Sequence, residues 1–103
     1  MRITTSFATY DDVFLRLDNY MADGSLCIKA FNKDGSIATL TKCLCDDSLK
    51  HNETYLDVNN CPWVIDFIEH YRIGNLTGKW SGSGYCVYPI VSIDVEEIKK
   101  YIQ

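Results

Sequence analysis

The stretch Asn59-Asn60-Cys61-Pro62-Trp63-Val64-Ile65-Asp66-Phe67-Ile68-Glu69-His70-Tyr71-Arg72-Ile73-Gly74 carries a helix together with its start and stop signals. Proline suits the first helical position, because its missing N–H would be unpaired there and its fixed φ is already helical. Asn60 or Cys61 then falls at the cap, and Asn60 has the side-chain oxygen able to accept an orphan N–H. Trp63, Val64, Phe67, Ile68 and Tyr71 recur at helical spacing as one apolar stripe, opposed by Asp66, Glu69 and His70. Gly74 is placed to close the helix in a left-handed conformation. The spacing therefore predicts a helix over residues 62–71, with Trp63, Phe67 and Tyr71 buried against a sheet.

The rest of the chain reads mostly as strands. Residues 2–9 hold the β-favouring Ile3, Thr4, Thr5 and Phe7. Val13-Phe14-Leu15-Arg16-Leu17 fits a strand or a helical turn, and the pattern does not decide between them. Leu26, Ile28 and Ala30 alternate with Cys27, Lys29 and Phe31, Asn32-Lys33-Asp34-Gly35 turns the chain, and residues 37–42 return as a hairpin. Met21-Ala22-Asp23-Gly24 is a second turn just before it. Residues 46–52 read as a polar loop and residues 54–58 as a short strand. Beyond the helix, residues 78–80 and 85–93 are strands, and the second is a long apolar run suited to burial on both faces. Pro89 withholds one ladder donor there, which argues for an edge or a bulge. Asp94 caps a final helix over residues 95–103, with Val95, Ile98 and Ile102 on one face. The sum is an α+β fold: an antiparallel sheet of about five strands with one internal and one C-terminal helix packed on it.

A chain of 103 residues reads as a single domain over residues 1–103, since two cores would each be too small to stand alone. No apolar run approaches the ~20 residues that cross a bilayer, and residues 1–6 have no apolar signal-peptide region. A cytoplasmic protein is expected. Net charge is −4, from 14 acidic and 10 basic residues, which weighs against binding nucleic-acid phosphates directly. The acidic groups come in small lots, as at Asp11-Asp12, Asp46-Asp47 and Asp94-Val95-Glu96-Glu97. A mimic of nucleic acid needs a denser array.

Candidate chemistry is sparse. The five cysteines are an odd number without an export signal and read as reduced thiols rather than a disulfide framework. Cys43-Leu44-Cys45, with Cys61, His51 and His70, is a poor match to paired zinc ligands at C-x₂₋₄-C spacing, so no metal is expected. Nothing in the sequence ties either histidine to a cysteine as its base, and no serine sits on a strand–elbow–helix turn. Gly82-Ser83-Gly84 lies between two strands, unlike a phosphate loop ahead of a helix. No set of residues converges on a catalytic role, so neither an enzyme nor a cofactor is expected. What remains is Trp80 and Tyr85 around a small-residue turn, with Lys79 and Tyr88 beside them. Tyrosine and tryptophan are favoured interface anchors, although rings turned inward to close the core are a competing placement. Partner binding is accordingly expected at Trp80, Tyr85, Lys79 and Tyr88, with the acidic Asp46-Asp47 loop as the alternative surface.

Four segments carry a family likeness. They are Asp18-Asn19-Tyr20-Met21-Ala22-Asp23-Gly24-Ser25-Leu26-Cys27-Ile28, Leu40-Thr41-Lys42, Asp57-Val58-Asn59-Asn60-Cys61-Pro62-Trp63, and Thr77-Gly78-Lys79 with Ser81-Gly82-Ser83-Gly84-Tyr85-Cys86-Val87-Tyr88-Pro89. Together they resemble a family of small domains of unknown function encoded on plasmids, conjugative elements and phages of Gram-positive bacteria. The likeness spans about residues 18–90, and its specific pieces are residues 59–63 and 81–89. The chain departs from the family pattern at Lys42, where asparagine is usual, and at Val58. The resemblance brings no established catalytic residue. It implies a defence-evasion role: an anti-CRISPR protein that inhibits type II Cas9 by binding the effector or interfering with its guide RNA. A non-enzymatic interaction module of a conjugative element and an antirestriction DNA mimic are the alternatives. The expected partner is a protein, with no membrane involved.

Overall fold

A computed structural model describes residues 1–45 and 48–103, with the backbone alone at Ser83. Among the described residues, strands take 46% and helices 14%. Strands β1 (Ile3–Thr4) and β2 (Thr9–Tyr10) pair as a short ribbon. Strands β3 (Phe14–Asn19), β4 (Leu26–Asn32) and β5 (Gly35–Thr39) form an antiparallel meander in sequence order. The third sheet is built from β6 (Thr41–Lys42), β7 (Glu53–Leu56), β8 (Gly74–Ser83) and β9 (Cys86–Ile93), in the order β6-β7-β9-β8. Helix α1 (Val64–His70) connects β7 to β8, and α2 (Val95–Ile98) runs into a 3₁₀ turn at Lys99–Tyr101.

The expected single sheet of about five strands carrying two helices is therefore wrong: the strands divide among three sheets, and the helices are short. Leu40 shows why. Its N–H donates to the Ile28 carbonyl of β4 at 2.8 Å, while its own carbonyl accepts from the Asp57 N–H at 2.9 Å. One residue thus ends the meander and opens the next sheet. Residues 37–42, read as one returning strand, split at that point. Of residues 13–17, open between strand and helical turn, 14–17 are strand, with Leu15 opposite Ala30 and Leu17 opposite Ile28, and Val13 precedes it.

β9 meets the demand made by its apolar run. Val91 and Ile93 enter the main core with Leu15, Ile28 and Leu56 and with Val64, Phe67 and Ile68 of α1. Tyr88 and Ile90, on the other face, join Tyr55 in a second cluster bordered by Leu44, Leu49 and Cys86. Pro89 lies in this central strand, not at an edge, and a bulge accommodates it. It stands opposite Trp80, where the β8 register shifts: four steps from Leu76 to Trp80 face two steps from Val91 to Pro89. Gly78, at φ 81°, takes the turn that these two extra residues need.

The internal helix is present but shifted from its expected bounds. Pro62 belongs to the preceding turn, and Trp63 occupies the cap position without a side-chain hydrogen bond. Asn60 does not cap; its amide donates to Asp57 Oδ2 at 2.9 Å, and the Cys61 N–H donates to the Asp57 carbonyl at 2.8 Å. The buried face is Val64, Phe67 and Ile68, whereas Trp63 and Tyr71 are half-buried around Phe67, with ring centroids 5.9 and 5.1 Å from it. Arg72, at φ 56°, makes the left-handed exit expected of Gly74. Gly74 instead begins β8, where a Cβ would stand 2.8 Å from Val91 Cγ2 and 3.1 Å from the Ser92 carbonyl oxygen. At the C-terminus Asp94 does cap, accepting from the Glu97 N–H at 3.0 Å. The helix expected over residues 95–103 nevertheless stops early, and Ile102 extends to bridge Leu15 in parallel. Among the described residues no helix is long and apolar enough to cross a membrane.

These packing relations set two stability changes. Phe67→Ala should lose ~3–5 kcal/mol, the usual cost of removing a buried ring. Gly74→Ala should lose about 1–3 kcal/mol by overpacking the α1–β9 contact. Urea unfolding of both variants checks them, and a Gly74→Ala protein as stable as the parent would contradict the close approach.

Candidate functional site

The β8–β9 hairpin outruns the main core. Its tip is a two-residue turn in which Gly84 takes φ 64° and Tyr85 keeps a negative φ, the pattern of a II′ turn. Trp80 pairs with Pro89 and Gly82 with Val87, so Trp80 and Val87 lie on the same face. Both are over half exposed, at 55% and 53%, and Tyr85 at the tip is fully exposed. The rings of Trp80 and Tyr85 therefore do not close the core. Tyr88 does: it is buried on the opposite face, which removes it from the expected contact surface. β8 is also an edge strand, and an edge is a template for further pairing.

Lys79 is tied to the sheet beneath it. Its ammonium lies 3.5 Å from Glu53 Oε1, and the same oxygen accepts from the Lys50 N–H at 2.8 Å. The Lys50 hydrogen bond first, and the Lys79 charge with it, hold the Glu53 carboxyl below its usual range. Lys79 thus braces β8 against β7 with its side chain about half exposed. Asp46 and Asp47, the alternative surface, lie outside the described residues.

A second grouping centres on Tyr20. Its hydroxyl donates to the Thr41 carbonyl at 3.0 Å and lies 2.9 Å from Thr41 Oγ1, which also accepts from the Ile28 N–H at 3.2 Å. Burial pushes the Tyr20 phenol up to about 12. Just beyond this clamp, Cys43 Sγ stands 3.4 Å from Cys45 Sγ. The Asp23 carboxylate reaches them from the β3–β4 turn, and the three ligand atoms lie within 4.8 Å of one another. Burial and hydrogen bonds to Cys45 and Asp23 push the Cys43 thiol up to about 11. The cysteine spacing was visible in the sequence, but Asp23 was not, because a turn aspartate names no distant partner.

The other candidates are dispersed. Cys27 and Cys61 are buried, and burial pushes the Cys61 thiol up to about 11. His51 lines a cleft of about 530 Å³ with Asn19, Asp23, Lys50 and Glu53. His70 is exposed on α1 with its ring edge-on to Tyr71, beside a cleft of about 720 Å³ that includes Arg2 and Trp63. The geometry suits two tasks: gripping a surface with the hairpin, and offering sulfur and carboxylate ligands near Tyr20.

These features define a small, mostly antiparallel β domain with a projecting aromatic hairpin. The chain belongs to the family described as Domain of unknown function (DUF4313), whose model matches residues 14–103. That match begins at β3 and takes in both groupings. No curated protein and no solved structure matches the chain.

Alkylation kinetics test the Cys43 environment, since the thiolate is the reacting species. In the folded, metal-free protein, labelling of Cys43 should keep rising with pH toward about 11, beyond the ordinary thiol value of 9.0. A plateau already reached near 9.0 would contradict this placement.

Proposed function

We propose that the protein is a non-catalytic binding module that grips a protein partner through the β8–β9 hairpin. The observation that carries this reading is the joint exposure of Trp80, Tyr85 and Val87 on one hairpin arm. The fold buries Tyr55 and Tyr88 while it leaves these side chains in water. Each aromatic ring offers ~150–250 Å² to a partner at little conformational cost. The edge position of β8 supports a strand-addition mode, in which main-chain hydrogen bonds supply affinity and Trp80 supplies specificity. Lys79 sits at the margin, where a charge contributes steering more than net affinity.

The sequence resemblance to small proteins of mobile elements supports one specific form of this reading. In that form the partner is type II Cas9 or its guide-RNA complex, and occupation of the effector blocks interference. An interaction role inside a conjugative element uses the same surface with a different target. The DNA-mimic alternative has less support, because Asp11, Glu53, Glu96 and Glu97 are each paired with a cation of this chain.

Trp80→Ala and Tyr85→Ala separate binding from folding. Tyr85→Ala should change stability by no more than ~0.5 kcal/mol, as exposed positions do. Each should weaken partner capture by ~2 kcal/mol, about thirtyfold, if it is an anchor. Melting temperature, pull-down with the tagged chain from Cas9-expressing cells, and plasmid interference in that host are the readouts. Folded variants with full capture and inhibition would exclude this surface. A parent chain that captures other proteins yet leaves interference intact would exclude Cas9 as the target.

A further inference from the structure

We propose that Asp23, Cys43 and Cys45 form a binding site for one thiophilic divalent cation of the zinc class, with two thiolates and one carboxylate as ligands. The cysteine spacing alone falls short of a zinc pattern; the fold supplies the third ligand from a separate hairpin turn. An ion ~2.3 Å from sulfur and ~2.1 Å from oxygen in tetrahedral geometry separates its ligand atoms by about 3.6–3.8 Å. The two sulfurs, at 3.4 Å, already stand within a few tenths of an ångström of that spacing. The carboxylate closes the remainder by side-chain adjustment, since all three ligand atoms lie within 4.8 Å.

Three further observations support the site. Ser25 orients the carboxylate, its N–H and hydroxyl donating to Asp23 Oδ1 at 2.9 and 2.7 Å, as outer-shell partners do around metal ligands. Asp23 and Cys45 are exposed, which gives an ion a path in and leaves room for water as a fourth ligand. Electrostatics then favour a cation over an empty cluster. Two thiolates and a carboxylate whose ligand atoms lie within 4.8 Å of one another repel each other. A divalent cation replaces the two thiol protons and removes the conflict. Sulfur ligands select zinc-like ions over calcium or magnesium.

Cobalt(II) is the spectroscopic probe, with zinc(II) as competitor, on the reduced full chain. One equivalent should bind with thiolate-to-metal charge-transfer absorption and protect Cys43 and Cys45, but not Cys86, from alkylation. Loss of two protons makes the apparent affinity fall ~100-fold per pH unit on acidification. Cys43→Ser and Cys45→Ser should abolish the absorption, Asp23→Asn should weaken binding about tenfold or more, and Cys86→Ser should leave it unchanged. The protection readout on the parent protein needs no variant, so a misfolded mutant leaves the test intact. Absence of a stoichiometric ion, or binding that survives in the Cys43→Ser, Cys45→Ser double variant, would overturn the site. So would a reduced protein that shows no ion affinity and simply oxidises to a Cys43–Cys45 disulfide.

Discussion

The contact on which the rest of this structure depends is the hydroxyl junction between Tyr20 and Thr41. The meander and the four-stranded sheet are separate ladders, and Thr41 stands at their seam, 2% exposed. Its hydroxyl accepts from the Ile28 N–H and meets the Tyr20 hydroxyl, while its carbonyl accepts from Tyr20. A second stitch runs from the fully buried Thr54, which donates to the Leu26 carbonyl at 2.7 Å. An unsatisfied polar group buried at such a place costs ~1–3 kcal/mol, so these side chains are held in one arrangement. The junction also sets what lies beyond it. Asp23 follows Tyr20 by one turn, and Cys43 follows Thr41 by two residues, so the clamp delivers the carboxylate to the thiols.

The local elements were legible in the sequence because their signals are local. The stripe through Phe67 and Ile68 identifies α1, Asp94 identifies the final cap, and Asn32-Lys33-Asp34-Gly35 identifies the β4–β5 turn. Alternation, by contrast, says that a segment is a strand without naming its neighbour. Residues 37–42 alternate well enough for one strand, yet Leu40 spends its N–H and its carbonyl on different sheets. Gly74 is ambiguous for a related reason: a glycine after a helix fits a left-handed exit and a close helix–strand contact equally well. The left-handed φ of Arg72, and the 2.8 Å that would separate a Cβ at Gly74 from Val91 Cγ2, distinguish them.

The candidate sites divide along the same line. Trp80 and Tyr85 could be singled out from residue type, but not their direction, since strand faces depend on register. The bulge between Leu76 and Trp80 adds two residues, an even number, so the alternation carries through and Trp80 stays on the face of Leu76. Tyr88, one position along from Pro89, falls on the other face and joins Tyr55. The Asp23–Cys43 approach spans 20 residues of chain and rests on a tyrosine–threonine clamp. No spacing rule reaches that far.

Where the hairpin remains bare follows from how the elements connect. Helix α1 has seven residues and is about 10 Å long at ~1.5 Å per residue. β9 has eight residues and is about 27 Å long at ~3.4 Å per residue. Of β9, only Val91 and Ile93 share the main core with Phe67 and Ile68 of that short helix. The same face continues toward the tip with Val87 and, across the pair, Trp80, and there both side chains are over half exposed. On the reverse face Tyr55, Leu44 and Leu49 reach farther along and bury Tyr88. The asymmetry turns one end of an ordinary two-sided strand into an apolar, aromatic arm with a single open face. Helix α1 hands the chain to Gly74, paired with Ile93 at the end of the hairpin away from the tip, so the surface proposed to bind lies at the end opposite the one this connection packs.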